Sequence, residues 1–338
     1  MPTPSQEEWW SVYLDEGDNI LKYGLGKRRI ASQFGISVNA SRRLLTFLAR
    51  YGPPSSRKDP SPPNLSEQNE SLYNPSKKLP KHLVIGDAHA GPGQDLRRFR
   101  WLAKFCLHHR PDVVVSIGDW FGLDSLCMHG STADRETQRL LHDLEAGNEA
   151  LRIFAEELQR HNLKNPSDLY CPRLVVTLGN HDARIIREAH SNPHLIGILD
   201  YDLMHWEQYG WEVVPFLQPC EIDGVTYSHY FTRPGSGRAI SGKYHAAALV
   251  REGLGGSFVC GHSHKLDWHS SANIHGKRAQ GLVAGCFFEH IEDYAKTSNN
   301  QWFRGLVLLN DVVDGDYDLE VWSMARIKRL VKCLISTP

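Results

Sequence analysis

No stretch of this 338-residue chain stays apolar for the roughly 20 residues that a membrane span needs, which excludes a membrane-spanning helix. The opening Met1-Pro2-Thr3-Pro4-Ser5 lacks the basic flank and apolar core of a secretory signal, so the expected location is the cytoplasm. Cysteine is sparse and unpatterned. The seven residues (Cys106, Cys127, Cys171, Cys220, Cys260, Cys286, Cys333) include no Cys-x-x-Cys pair. An odd, scattered set argues against a disulfide framework or a cysteine-based zinc site, and fits a reducing compartment. There is no internal repeat of solenoid scale. Neither acid nor base is in excess, with 38 Lys/Arg against 39 Asp/Glu and a formal net charge of −1. With 41% hydrophobic and 23% charged residues, the composition is that of a globular protein with room for one large domain and a small one.

The near-neutral total conceals an asymmetry. Residues 1–80 carry eleven Lys/Arg against eight Asp/Glu, a net +3, and the rest carries 27 against 31, a net −4. A slightly acidic domain that attracts phosphate needs a local positive source, which bound metal ions would supply. What the chain has in quantity is histidine, 18 residues, several beside Asp or Asn just after short apolar runs.

Residues 5–24 read as a helix, with Trp9, Val12, Tyr13, Ile20 and Leu21 at helical spacing and Gly24 and Gly26 closing it. Lys27 to Leu48 resembles a helix-turn-helix. Ile30 and Phe34 face inward, Ala31 permits close helix approach, Gly35 makes the turn and Ser37 caps the second helix. That helix is expected to bury Val38, Leu45 and Leu48, with Ser41 between them, and to present Asn39, Arg42, Arg43 and Thr46 outward. From Asn19 to Arg50 there are seven basic residues and no acidic one. This pattern suits contact with nucleic acid, DNA in the first place. The alternative is a small bundle that docks elsewhere or helps a homodimer form. Residues 1–51 thus form an all-α module. Residues 52–80 follow as a linker whose seven prolines alternate with Ser, Asn and Lys, a composition that cannot pack a core.

A second domain spans 81–325. The apolar run His82–Ile85 ends in Gly86-Asp87-Ala88-His89, and a helix covers 94–110. Val113–Ile117 ends in Gly118-Asp119. A long helix near 134–162 aligns Leu140, Leu141, Leu144, Leu151, Phe154 and Leu158. Leu174–Leu178 ends in Gly179-Asn180-His181-Asp182. Later strands cover 212–216, 225–228 (ending at His229), 257–260 (ending in Gly261-His262-Ser263-His264), 282–284, 305–309 and 317–322, with a helix over 244–251. Alternating βα units followed by hairpins predict an α/β fold of two packed sheets with helices outside. Residues 326–338 remain as a basic C-terminal tail.

Five clusters therefore terminate apolar strands: Asp87-x-His89, Asp119, Asn180-His181-Asp182, His229 and His262-x-His264. Strand ends are where sites form in α/β sheets. Carboxylate, imidazole and amide oxygen together suit Mn²⁺, Fe, Zn²⁺ or Ni²⁺ better than Ca²⁺. They are too many for one ion and suit two ions that share a carboxylate. Any one such residue alone is most simply a turn or capping residue; five clusters in this order are not.

The order GDAH, GD, GNHD, H, GHSH resembles the calcineurin-like metallophosphoesterase superfamily over residues 81–325. The resemblance implies a two-sheet fold flanked by helices and two divalent ions, manganese first, with iron, zinc, nickel or magnesium as alternatives. It implies that Asp87, His89, Asp119 and His264 hold one ion. Asp119, Asn180, His229 and His262 hold the other, with Asp119 bridging. His181 would protonate the leaving oxygen and Asp182 would orient it. Two such ions clamp a phosphoryl group and activate water, and a histidine suits protonation of an alkoxide. One position departs from the family: Gly122 stands where the second motif commonly has Asp or His. Asp124 or His129 could move in to replace it.

Weaker candidates are Arg238 and Lys243, beyond His229, as substrate-phosphate contacts, and Trp120, Phe121, Trp268 and Phe287 as stacking surfaces. The expectation is a two-metal phosphodiesterase acting on nucleic acid, of a kind often encoded by bacteriophages. The competing expectations are a nucleotide or cyclic-nucleotide phosphodiesterase or phosphoprotein phosphatase, and a DNA-binding regulator with a non-catalytic phosphoesterase domain.

Overall fold

The computed structural model describes residues 8–23, 25–51, 78–127, 139–253, 256–274, 276–291, 297 and 299–336. The chain divides into two compact units, Met1–Pro75 and Ser76–Pro338. In the first, α1 (Glu8–Tyr23), α2 (Lys27–Phe34) and α3 (Val38–Tyr51) enclose Trp9, Trp10, Tyr13, Ile20, Ile30, Leu44 and Leu48. Ser37 Oγ accepts the Ala40 N–H at 3.0 Å, capping α3. The inner face of α3 is rotated from the expected one: Ala40, Ser41 and Leu44 are buried, whereas Val38 is 43% exposed. Ser41 can occupy the seam because its hydroxyl donates to the Ser37 carbonyl at 3.0 Å, and positions 41, 44 and 48 then repeat at helical spacing. Linker residues 52–77 and the side chains of Leu21, Asn39 and Thr46 lie outside the described residues.

In the second unit, β1 (His82–Ile85), β2 (Val113–Ser116), β3 (Arg173–Thr177) and β4 (Trp211–Val214) run parallel as neighbours. The antiparallel strands β10 (Gly305–Val313) and β11 (Asp316–Ser323) extend the same sheet beyond β1. The second sheet has the order β5 (Cys220–Ile222), β6 (Val225–Tyr227), β7 (Ser257–Cys260), β9 (Arg278–Ala284), β8 (Leu266–Ala272), with β6, β7 and β9 parallel.

The short central strands are apolar at nearly every position because both their faces are covered. Leu83, Ile85, Val114 and Val176 pack under α4 (Arg97–His109), α5 (Leu140–Lys164) and α8 (Met324–Ser336). Val84, Val115, Val175 and Val307 meet Val225, Tyr227, Val259 and Leu282 of the other sheet. α7 (His245–Glu252) lays Ala248 and Leu249 against Cys260 and Val283. This is the two-sheet α/β architecture expected from the order of elements.

Two stretches differ from expectation. Residues 326–338 are not a tail for the most part: α8 buries Met324, Ile327 and Val331 in the main core, a seam at i, i+3 and i+7 that places its basic residues outward. α5 starts at Leu140 and leaves Leu141 64% exposed, and residues 128–138, including His129, lie outside the described residues. No helix among the described residues is long and apolar enough to cross a membrane.

Candidate metal centre

Parallel strands deliver their carboxyl ends to one edge. At that edge the turns after β1, β2, β3, β6 and β7 converge. Asp87, His89, Asp119, His181, His229 and His264 are buried, and three overlapping groups bring ligand atoms within 4.8 Å of one another: Asp87–His89–His264, His89–Asp119–His181 and Asp119–His229–His262. Asp119 belongs to two of them. Its Oδ2 lies 3.8 Å from His89 Nε2 on one side and 3.3 Å from His229 Nε2 on the other. Asn180, the amide ligand expected from the sequence, puts Oδ1 2.9 Å from His229 Nε2. All seven expected ligands are thus in one constellation around a central carboxylate.

The backbone is bent to make it. His89, Asp119, His262 and His264 have φ of 42°, 48°, 66° and 58°, a left-handed region that non-glycine residues enter at a cost and mostly where function requires it. Glycine is needed where the turns touch. A Cβ on Gly179 would lie 2.0 Å from Asp119 Oδ1, and one on Gly261 would lie 2.3 Å from Asp87 Oδ1.

The donor set fits divalent ions. Asp87 Oδ2 is buried and lies 2.9 Å from His264 Nε2 as an ion pair, a carboxylate and an imidazole side by side as a shared cation would need them. His229 Nδ1 donates to the Ile117 carbonyl at 2.8 Å, which fixes the ring and turns Nε2 toward Asp119, the arrangement that metal-binding histidines use. The charges of the cluster are strongly coupled. Burial works to raise the Asp87 pKa, but the adjacent His264 charge and hydrogen bond bring it down to about 2. Burial works against a charged His229, and the Asp119 charge overcomes it, raising that group to about 9. Asp119, despite burial, is held well below the carboxylate range by His229 and His181. A site that holds carboxylates ionised among imidazoles is ready for cations.

His181 differs from the ligands. Its Nδ1 donates to the Gly122 carbonyl at 2.8 Å, its ring stacks on His89 with centroids 4.3 Å apart, and Nε2 stands 3.9 Å from Asp119 Oδ2. Burial is the main reason its pKa falls to about 3. Asp182 does not orient it. Its carboxylate accepts the backbone N–H groups of Asp119 (2.7 Å), Gly179 (2.8 Å) and Phe121 (3.2 Å), so it clamps the two turns together while the Gly122 carbonyl positions the imidazole. Burial first, then the Asp119 charge, raises Asp182 to about 7 against the pull of those donors.

Two arginines escaped the sequence analysis. Arg98, on α4, is buried and donates to the Ala88 and Asp95 carbonyls and to Gln94 Oε1 at 2.8–3.0 Å, bracing the turn that carries Asp87 and His89; burial lowers its pKa to about 10. Its place on the apolar stripe, one turn before Leu102, was the available signal. Arg184 opens α6 (Arg184–Ser191). Its Nη2 is 3.0 Å from His181 Nε2, and Nη1 donates to the Gly122 and Leu123 carbonyls at 2.8 and 3.2 Å.

The remaining candidates do not join the centre. Arg238 and Lys243 are exposed, and neither reaches the ligands by a hydrogen bond or ion pair among the described residues. Trp120, Phe121 and Phe287 are fully buried core residues and offer no stacking surface. Trp268 is half-exposed on β8, with Nε1 donating to Gln280. Asp124 sits in the loop beside Gly122 and meets Arg184 Nη1 at 3.3 Å, so it is held by the arginine.

Asp119 stands between two groups of histidines at the strand ends of paired sheets, an arrangement suited to metal-dependent phosphoesterase chemistry. The calcineurin-like phosphoesterase family model matches residues 80–274, more than half of the chain, and the chain belongs to that family. Members use two divalent ions, and the Asp and His groups described above could hold them. Among solved structures, the chain is similar to Yfce, a phosphoesterase from E. coli, at 10% identity and a TM-score of 0.31. It is similar to TT1561 of Thermus thermophilus at 11% identity and a TM-score of 0.30. Each comparison covers 72% of this chain and 99% of the other. No curated protein matches the chain.

Proposed function

We propose that this phosphoesterase hydrolyses phosphodiester bonds in nucleic acid, DNA in the first place, with manganese as its working metal and the first unit as a DNA-binding helix-turn-helix. The observation that carries the reading is the surface of that unit. Arg28, Arg29, Arg42 and Arg43 are all exposed on α2 and α3, in a stretch with no acidic residue from Asn19 to Arg50. Basic side chains on a helix that follows a glycine turn suit phosphate contacts and groove binding. A mixed oxygen and imidazole donor set supports manganese.

When bound, the two ions supply the positive charge that draws in a phosphodiester and activates water. The chain's own residues do the rest. Asp182 fixes the spacing of the turns, the Gly122 carbonyl holds His181 by Nδ1, and Nε2 is left as the atom that can pass a proton to the leaving oxygen. A buried site with its ligands preset loses little to reorganisation.

The test is hydrolysis with added Mn²⁺ of bis(4-nitrophenyl) phosphate, single-stranded DNA and double-stranded DNA by the full chain, His181→Ala and the double variant Arg42→Ala/Arg43→Ala. DNA cleavage should require His181. The arginine pair should weaken DNA binding and make its logarithmic salt dependence shallower by roughly 1 per lost phosphate contact. Cleavage of the small diester alone, indifferent to the arginine pair, would refute the nucleic-acid reading and favour a small-molecule phosphodiesterase.

A further inference from the structure

The place where the chain departs from its family is also where an unexpected cation stands. Gly122 contributes no side chain, and the Arg184 guanidinium lies against its carbonyl at 2.8 Å. One edge of that guanidinium is committed: Nη1 serves the Gly122 carbonyl, the Leu123 carbonyl and Asp124 Oδ1. The other edge points at the reaction site, with Nη2 3.0 Å from His181 Nε2. The side chain is only 11% exposed, so it is held in place. A guanidinium can only donate. His181 Nε2 must therefore be the acceptor in this contact, and the ring proton must be on Nδ1, where the Gly122 carbonyl receives it. In this arrangement Nε2 has no proton for a leaving group, and a planar donor pair occupies the space in front of it.

We infer that Arg184 is a substrate-binding residue whose Nη2 edge passes from His181 Nε2 to a non-bridging phosphoryl oxygen when substrate enters. Its Nη1 edge keeps its anchors on the 122–124 loop during the exchange. A phosphoryl oxygen is a charged acceptor and wins over a neutral imidazole nitrogen for the same donor. The exchange leaves His181 Nε2 free of the guanidinium. Arg184 thus links the arrival of substrate to the release of the His181 imidazole. Lysine is no substitute, because a single ammonium cannot hold the loop and the phosphate at once. The inference rests on the phosphoesterase assignment and is independent of whether the substrate is a polymer.

The experiment uses the full chain saturated with Mn²⁺. It measures kcat and KM for bis(4-nitrophenyl) phosphate, and separately the binding of inorganic phosphate and of Mn²⁺ by calorimetry, for wild type, Arg184→Lys and Arg184→Gln. Both variants should weaken phosphate binding about tenfold or more, in line with loss of one charge-assisted hydrogen bond, and raise KM in parallel, with Mn²⁺ affinity within about twofold of wild type. Asp124→Asn, which leaves both carbonyl anchors of Nη1 in place, should leave phosphate affinity within about twofold. Phosphate affinity unchanged in both Arg184 variants would overturn the inference, as would a loss tracking weakened Mn²⁺ binding, the mark of a merely structural arginine. A wild type that binds phosphate through Arg184 but hydrolyses no diester would leave the inference standing and sink the phosphodiesterase reading instead.

Discussion

At the scale of single residues, Asp182 holds two turns of the metal centre together: beside His181 in sequence, it accepts three backbone N–H groups. Asp182→Ala would leave three buried donors without an acceptor, at roughly 3 kcal/mol or more. The melting temperature of the second unit should fall by roughly 6–12 °C, and Mn²⁺ affinity should drop with it because the Asp119 turn is one of those clamped. Asp182→Asn keeps one acceptor oxygen and should lose about half as much. If thermal scans show no loss in Asp182→Ala while the pH profile of kcat shifts, the carboxylate acts on His181 after all. Asp87, His89, Asp119, Asn180, His229, His262 and His264 were legible in the sequence because each closes an apolar run, but the direction of the Asp182 carboxylate within its turn is not a property of chain order; Arg98 and Arg184 were invisible for a related reason. A basic residue near a motif is ordinarily solvated, and only packing reveals a guanidinium committed to carbonyl groups.

At the scale of elements, hydrophobic periodicity gave the strands and most helices, and it failed where partners decide. α8 was set aside as a tail because Arg326, Lys328, Arg329 and Lys332 dominate its composition, yet its other face joins the core. Near it, the last turn of α4 carries His109, whose ring lies 4.2 Å from Phe105 and 4.7 Å from Trp322 by centroid. Burial, followed by the charge on His108, lowers its pKa to about 4. The unfolded chain therefore binds more protons than the folded one between about pH 4 and 6.5. His109 contributes full stability above pH 6.5, and that contribution is lost as the pH falls toward 4. The loss is about 1–2 kcal/mol once the half-exposure of the ring is discounted. His109→Phe should flatten this part of the stability curve in urea titrations at pH 4.5 and 7; an unchanged difference between the two pH values would assign the acid sensitivity elsewhere. The turns make a sharper case. Gly179→Ala would drive a methyl group to 2.0 Å from Asp119 Oδ1, so the bridging carboxylate must move. Mn²⁺ affinity should fall at least about tenfold, and calorimetric titration with an unaltered isotherm would refute the close approach.

At the scale of the whole molecule, the two units have separate cores. Trp9, Tyr13, Ile30 and Leu44 belong to one, while the metal centre is built from turns of the other. The boundary between the units, after Pro75, falls within the proline-rich interval of the sequence. Metal should therefore act on one unit alone. An ion held at 100 times its dissociation constant stabilises the state that binds it by about 2.7 kcal/mol. It also relieves the mutual repulsion of Asp87 and Asp119, both buried and both held ionised. Chelation with EDTA should lower the melting transition of the Ser76–Pro338 unit by several degrees, with the shift reversed by Mn²⁺. The unfolding of the helical unit, followed separately through hydrogen exchange in α1 and α3, should not move. Exchange in those helices that responds to metal would mean the units share a folding equilibrium. Exchange that ignores the metal would make the two units independent folding units, each stabilised by its own core.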